Sequence, residues 1–207
     1  MNNKSERSVW NRKSSLNTLI KIAMLSAISA VLMFFEFPMP FMPPFLKMDF
    51  SDLPAVIATF SFGPLAGICV ELVKNLLHLV SKGSSTGGVG ELANFLIGTA
   101  FVLPAGLIYM KNKTKKGAII GMCAGTVLMA VTGVLANYYI LIPFYVTVMN
   151  FPMNAILSMC GEVNGLISNL PTLIAFGITP FNILKGVMLS IVTALLYKRL
   201  SPLLHGK

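Results

Sequence analysis

The sequence predicts an all-α integral membrane protein, a single bundle of six transmembrane helices. Three observations point there. Hydrophobic residues make up 55% of the chain and charged residues 11%, against roughly 25% charged in soluble domains. Apolar runs recur that approach or exceed the ~20 residues a helix needs to cross a hydrocarbon core of about 30 Å, and no barrel-type alternation recurs along them. The positive charges are also bunched. Lys4, Arg7, Arg12, Lys13 and Lys21 precede or enter the first run, Lys111, Lys113, Lys115 and Lys116 fill one loop, and Lys198, Arg199 and Lys207 follow the last run. Cytoplasmic loops carry such excesses, so the bunching places both termini and that loop in the cytoplasm and makes the helix count even. The net charge of +9 is thereby read as a topology signal, not as a nucleic-acid footprint.

Taken in order, a polar cytoplasmic head over residues 1–15 leads into a first apolar run at about 17–37, inside one membrane domain covering 1–207. The run is too long for a signal peptide, and no small-residue cleavage site follows it. The proline-rich loop "FPMPFMPPFLKMDFSD" comes next. The stretch "LPAVIATFSFGPLAGICVELVKNLLHLV" carries Gly63-Pro64 near its middle, which predicts two short helices joined by a tight turn on the cytoplasmic side. A flexible Gly/Ser loop, "SKGSSTGGVG", returns on the outer side to "ELANFLIGTAFVLPAGLIYM", where Pro104 invites a kink. From about Gly117 the chain runs outward through "AIIGMCAGTVLMAVTGVLANYYILIPFY". Residues 148–178 read as a long, moderately apolar connection, and a last helix returns over about Thr179 to Leu200.

Polar side chains in membrane helices are costly and mark cavities or partners. Asn137, Asn182, Lys185, Glu91 and Asn94 all fall at the outer ends of their helices, beside the loop that bears Lys47, Asp49, Ser51 and Asp52. Gly87, Gly88 and Gly90 permit close backbone approach there. The combination predicts a pocket with apolar and aromatic walls and a few donors and acceptors, suited to a flat heteroaromatic molecule. Each residue also has a plainer reading: Asn137 as an interhelical hydrogen bond, Lys185 snorkelling to the surface, and Glu71, Lys74, Asn75 and His78 as structural pairs on one helix. Ala23, Ala27 and Ala30 form a small-residue ridge, and Gly117, Gly121 and Gly125 another; either fits a partner helix or internal packing.

The chain has no Walker A motif, no zinc-protease H-E-x-x-H and no G-x-S-x-G. Cys69, Cys123 and Cys160 lack metal-ligand or redox spacing, so neither a metal site nor a disulfide is expected.

The stretches "KMDFSDLPAVIATFSFGPLAG", "VKNLLHL", "GGVGELANFLIG", "FVLPAGLIY", "NYYILIPFY" and "PFNILKG" closely resemble the riboflavin-specific S components of energy-coupling factor (ECF) transporters, the RibU type, over essentially the whole chain. The resemblance implies a non-enzymatic, multi-pass subunit of a bacterial plasma membrane that captures riboflavin on the outer side. It implies that Asn137, Asn182 and Lys185 meet the polar edge of the isoalloxazine ring, and that Asp49, Glu91 and Asn94 meet the ribityl hydroxyls. The same resemblance implies that Ala23, Ala27 and Ala30 dock onto a membrane-embedded coupling subunit carried by two cytoplasmic ATPases. Riboflavin is then substrate, with FMN a second candidate ligand, and no cofactor or metal is implied. Two rivals stand beside this reading: an S component for another vitamin, and a membrane enzyme using Glu71, Lys74 and His78.

Overall fold

A computed structural model describes the backbone of residues 3–84 and 86–205 and the side chains of residues 16–84 and 86–196. The topology-setting side chains expected at Lys4, Arg7, Arg12, Lys13, Lys198, Arg199 and Lys207 lie outside the described residues.

Helix α1 (Asn3–Phe34) enters the bundle through its apolar part, Leu16–Phe34, and its backbone is already helical through most of the polar head. The proline-rich loop is not wholly irregular. Its ends pair as a short antiparallel hairpin, β1 (Phe37–Pro38) on β2 (Lys47–Met48), with Phe37 opposite Met48. Helices α2 (Asp52–Phe62) and α3 (Pro64–Lys82) follow, split where the sequence predicts. Gly63 between them has φ 100°, a conformation that glycine adopts readily and side-chain-bearing residues resist, and Pro64 opens α3 where its missing N–H costs nothing.

At 11 residues α2 is about 16 Å long, too short to cross a bilayer alone. It lies instead at the centre of the bundle, touching α1, α3, α4 (Val89–Lys111) and α9 (Thr179–His205). Ala55, Val56 and Ala58 are fully enclosed, as expected of a helix that is apolar nearly all round. Among the described residues, five stretches are long and apolar enough to span: Leu16–Phe34, Pro64–Lys82, Val89–Lys111, Lys115–Thr147 and Leu170–Leu196.

Helix α5 (Lys115–Ala136) packs on α4 through the glycines noted above. A Cβ on Gly121 would meet the Ala105 carbonyl oxygen at 2.7 Å, and one on Gly125 the Phe101 carbonyl oxygen at 2.5 Å. That stripe therefore serves close packing within the chain. Past Ala136 the span widens into a π-turn, Asn137–Leu141, before α6 (Ile142–Thr147).

The segment expected as a connection is largely helical. It contains α7 (Met153–Val163), α8 (Leu170–Leu173) and a second π-turn, Ile174–Ile178, running directly into α9. The last span accordingly begins at Leu170, nine residues before the expected Thr179. Pro171 at the first turn of α8 and the reciprocal capping of Asn169 with Thr172 account for the early start.

Candidate functional site

One cavity of about 570 Å³ opens at the end of the bundle that gathers the hairpin, the C-terminal ends of α3 and α5, and the N-terminal ends of α4 and α9. Its size lies within the range of small-molecule sites, about 300–1,000 Å³. All six residues singled out from the sequence, Asn137, Asn182, Lys185, Asp49, Glu91 and Asn94, line it. Phe45, Tyr145, Phe151, Ile156, Met159 and Phe181 supply apolar and aromatic wall.

Asn137 is the first residue of one π-turn, and Asn182 lies in the first turn of α9, just after the other. Each spends one amide N–H on a carbonyl four residues back: Asn137 Nδ2 donates to Gly133 O at 2.8 Å and Asn182 Nδ2 to Ile178 O at 2.9 Å. The back-bond pins the amide plane and leaves its other groups for a partner. Asn137 Oδ1 is buried with no hydrogen-bond donor, and so is Asn94 Oδ1. Unmet acceptors are uncommon in folded proteins and point to an occupant of the cavity. Gly133 brings the two asparagines together. A Cβ there would lie 2.5 Å from Asn182 Nδ2, so only a bare backbone lets α9 seat its amide against α5.

Lys185 is three residues beyond Asn182 on the same face and does not snorkel. Its side chain is 6% exposed, and its Nζ donates to Asp49 Oδ2 at 3.2 Å and lies 2.9 Å from Asp52 Oδ2. Asp52 Oδ1 in turn pairs with Lys74, which also lies 2.7 Å from Glu71 Oε2 and donates to Ser51 Oγ at 3.1 Å. Three carboxylates thus face two ammoniums in a closed, buried cluster joining the loop before α2, α2 itself, α3 and α9. Asp52 sits in the first turn of α2, where the helix dipole favours a negative charge. The structural reading of Glu71 and Lys74 is the one the geometry carries: both are fully buried in ion pairs and neither lines the cavity.

Of the other residues singled out from the sequence, the two carboxylates, Asp49 and Glu91, have partners of their own. Asp49 Oδ1 accepts the Ser51 backbone N–H at 2.7 Å while its Oδ2 holds Lys185, so this carboxylate is mostly occupied within the chain. Glu91 Oε2 accepts from Ser84 Oγ at 2.7 Å, and Glu91 Oε1 lies 3.4 Å from His78 Nδ1. His78 also lines the cavity and rests against the Phe34 ring, 5.5 Å between centroids. The Gly/Ser loop before α4 is organised rather than slack: Ser84 Oγ accepts N–H bonds from Thr86 and Gly88, and Thr86 Oγ1 accepts one from Gly90.

At the mouth, Glu36 Oε1 accepts from Lys47 Nζ at 2.8 Å and from Lys82 Nζ at 2.6 Å, clasping the hairpin to α3. Partial burial opposes ionisation of Glu36, but the two lysines outweigh it and hold the carboxyl below the ordinary glutamate value.

Sequence reasoning named Asp52 and Lys74 without linking them to Lys185, behind which they stand, and it missed Gly133, which makes room for Asn182, and α7, which supplies Ile156 and Met159. Of these α7 had a visible signal, since Met153, Ile156, Leu157 and Cys160 recur at helical spacing. The alanine ridge is narrower than its spacing suggests. Ala23 and Ala27 are exposed on α1, but Ala30 is 6% exposed, turned into the bundle, and cannot meet an outside partner.

A bundle of membrane-length apolar helices with a cavity of this size and lining at its end can hold a small molecule, and comparison with known proteins says which class of protein it is. Residues 17–197 match the family described as the substrate-specific component of ECF transporters, and the chain belongs to that family. It is therefore a multi-pass cell-membrane protein that binds a substrate and works with the other components of an ECF transporter, a role in transport rather than catalysis.

Two curated relatives are similar over nearly their whole length. The riboflavin transporter RibU of Staphylococcus aureus (strain TCH60) is 46% identical over 187 residues, 90% of this chain and 91% of that one. The riboflavin transporter FmnP of Bacillus subtilis (strain 168) is 38% identical over 185 residues, 89% of this chain and 92% of that one. A solved structure described as the S component of a bacterial ECF transporter superposes with a TM-score of 0.73 at 41% identity, covering 92% of this chain and 99% of the other.

Proposed function

We propose that this chain captures riboflavin for ECF-driven uptake. The observation that carries the reading is the convergence of Asn137, Asn182 and Lys185 from two spans on one wall of an aromatic-lined cavity. A flavin ring edge offers carbonyl oxygens and an imide N–H. A pinned amide supplies both a donor and an acceptor, and an ammonium supplies donors only. Asn137 Oδ1, which has no donor of its own, accepts the imide N–H, while the second N–H of each amide and the Lys185 ammonium serve the carbonyls. With Asn137, Asn182 and Lys185 all buried, an analogue without matching groups leaves buried polar atoms unpaired and is rejected.

The ribityl chain runs toward Glu91 and Asn94, with His78 beside them. Asp49 lines the same region but acts mainly on Lys185. The termini are cytoplasmic and the cavity opens outward. Ala23 and Ala27 face a membrane-embedded coupling subunit seated on two cytoplasmic ATPases, whose hydrolysis drives release inward; no nucleotide-binding motif is needed in this chain.

The test is direct. Purified protein is titrated into riboflavin and flavin fluorescence is followed: saturable quenching supports the assignment, and binding of another vitamin with no quenching by riboflavin would overturn it. FMN is a second ligand favoured by the mouth, where Lys47 and Lys82 outnumber Glu36 at the end a terminal phosphate would reach. Competition of FMN against riboflavin checks it.

A further inference from the structure

We propose that Asp52 is a positioning residue for ligand selection: it aims the Lys185 ammonium at the cavity and is itself fixed by Lys74. The inference rests on the flavin reading above, because the ammonium it aims is one of the three groups assigned to the ring edge.

Asp52 and Lys74 are both fully buried and neither lines the cavity, so neither touches a ligand. They act through Lys185. A lysine ammonium rides on a flexible four-carbon stem and presents three donors in no fixed plane. Left alone, it would recognise a carbonyl with little directional preference. Here two carboxylates hold it, Asp49 Oδ2 at 3.2 Å and Asp52 Oδ2 at 2.9 Å, at a position where the residue lines the cavity.

The two holders differ in stiffness. Asp49 belongs to the loop after the hairpin. Asp52 belongs to the first turn of the central helix, packed on four others, and divides its oxygens: Oδ1 to Lys74, Oδ2 to Lys185. Lys74 has no free role, since Asp52, Glu71 and Ser51 surround it. Asp52 is therefore the fixed point from which Lys185 is aimed.

The same cluster provides a matched control. Three carboxyl groups face two lysines, so replacing one of them leaves each lysine with a carboxyl partner. Asp52→Asn and Glu71→Gln each replace one carboxyl of the cluster by an amide and keep the side-chain shape. Glu71, however, contacts Lys74 and not Lys185. If only the number of carboxyls in the cluster matters, the two variants behave alike. If Asp52 aims Lys185, they differ.

The experiment measures riboflavin affinity by fluorescence quenching, with Tm alongside, for the full-length purified chain as wild type, Asp52→Asn, Glu71→Gln, Lys185→Met and Asp52→Asn/Lys185→Met. The expected result is a rise in Kd of at least about tenfold for Asp52→Asn, within about twofold for Glu71→Gln, and no further loss when Asp52→Asn is added to Lys185→Met. Equal weakening by Asp52→Asn and Glu71→Gln, or additive losses in the double variant, would overturn the proposal. Should Asp52→Asn fail to fold, Asp52→Glu carries the same question. It keeps the charge and displaces the ammonium by one methylene, so a Kd unchanged from wild type would overturn the proposal and a Kd raised about tenfold would support it. If wild-type protein binds no flavin at all, the functional reading falls and this inference with it; if wild type binds and the variants do not separate, only the inference falls.

Discussion

Gly133→Ala tests the binding wall without replacing any residue assigned to the ligand. The added Cβ would lie 2.5 Å from Asn182 Nδ2, 2.6 Å from Cγ and 2.9 Å from Oδ1, where ordinary contact begins at 3.4 Å. Something must give by close to 1 Å. The Asn182 amide is tied to Ile178 O at 2.9 Å, so it either loses that bond or is driven into the cavity with its helix. Overpacking of this kind costs about 1–3 kcal/mol. Expressed in binding, that is roughly a 5- to 150-fold rise in riboflavin Kd. The assay is fluorescence quenching with purified protein, and Gly125→Ala is the control. Its Cβ would meet the Phe101 carbonyl oxygen at 2.5 Å, a clash as severe but away from the cavity. Gly125→Ala should lower Tm and leave Kd near wild type. A Gly133→Ala protein that binds riboflavin as tightly as wild type would refute the claim that Asn182 must sit against α5 to recognise the ligand.

Three further outcomes are expected. Asn137→Ala removes an acceptor that has no donor within the chain, together with the Nδ2 bond to Gly133 O, so Tm should fall modestly while riboflavin Kd rises about 5- to 150-fold, read by the same titration. The Glu36 clasp contributes stability above the unfolded glutamate value, about 4.3, because its folded pKa is lowered; that contribution is lost as pH falls through the lower folded value. Both lysine partners are about 40% exposed or more, so the gain is at most about 1 kcal/mol. Glu36→Gln at neutral pH should speed hydrogen exchange in residues 36–48 and leave the spans protected. Ala27→Trp and Ala23→Trp, on the exposed side of α1, should abolish riboflavin uptake by cells yet leave quenching by the purified subunit intact. Ala30→Trp should instead lower Tm, because Ala30 is packed inside the bundle.

The spans and the split at Gly63-Pro64 were legible because hydropathy and backbone restriction are local properties, readable a few residues at a time. The polar lining was legible for a related reason: an Asn or Lys in an apolar run stands out wherever the helix goes, and the ends of the runs supplied depth. What stayed hidden depends on contacts between distant parts of the chain. Lys185 and Asp49 are 136 positions apart, and no spacing rule joins them. The short α2 was legible as a helix of its own, but its enclosed position among α1, α3, α4 and α9 was not. Ala30 was misassigned because i, i+4, i+7 spacing defines a stripe without saying which of its edges is already covered by α2 and α3. The helix α7 was overlooked for its moderate hydropathy, although its periodicity was present.

The π-turns after Ala136 and after Leu173 carry a consequence for how such a pocket changes its shape over time. A widened turn accommodates one residue more than an α-turn, so side-chain directions beyond it are offset by about 100° from those of an uninterrupted helix. Deleting a single residue at either place would restore regular winding and keep the directions of the side chains beyond it, so the change would fall on the turn itself, at Asn137 in one case and just before Asn182 in the other. A scaffold built this way can acquire a differently contoured interior through a one-residue gain or loss in the coding sequence, without replacing the lining side chains one by one.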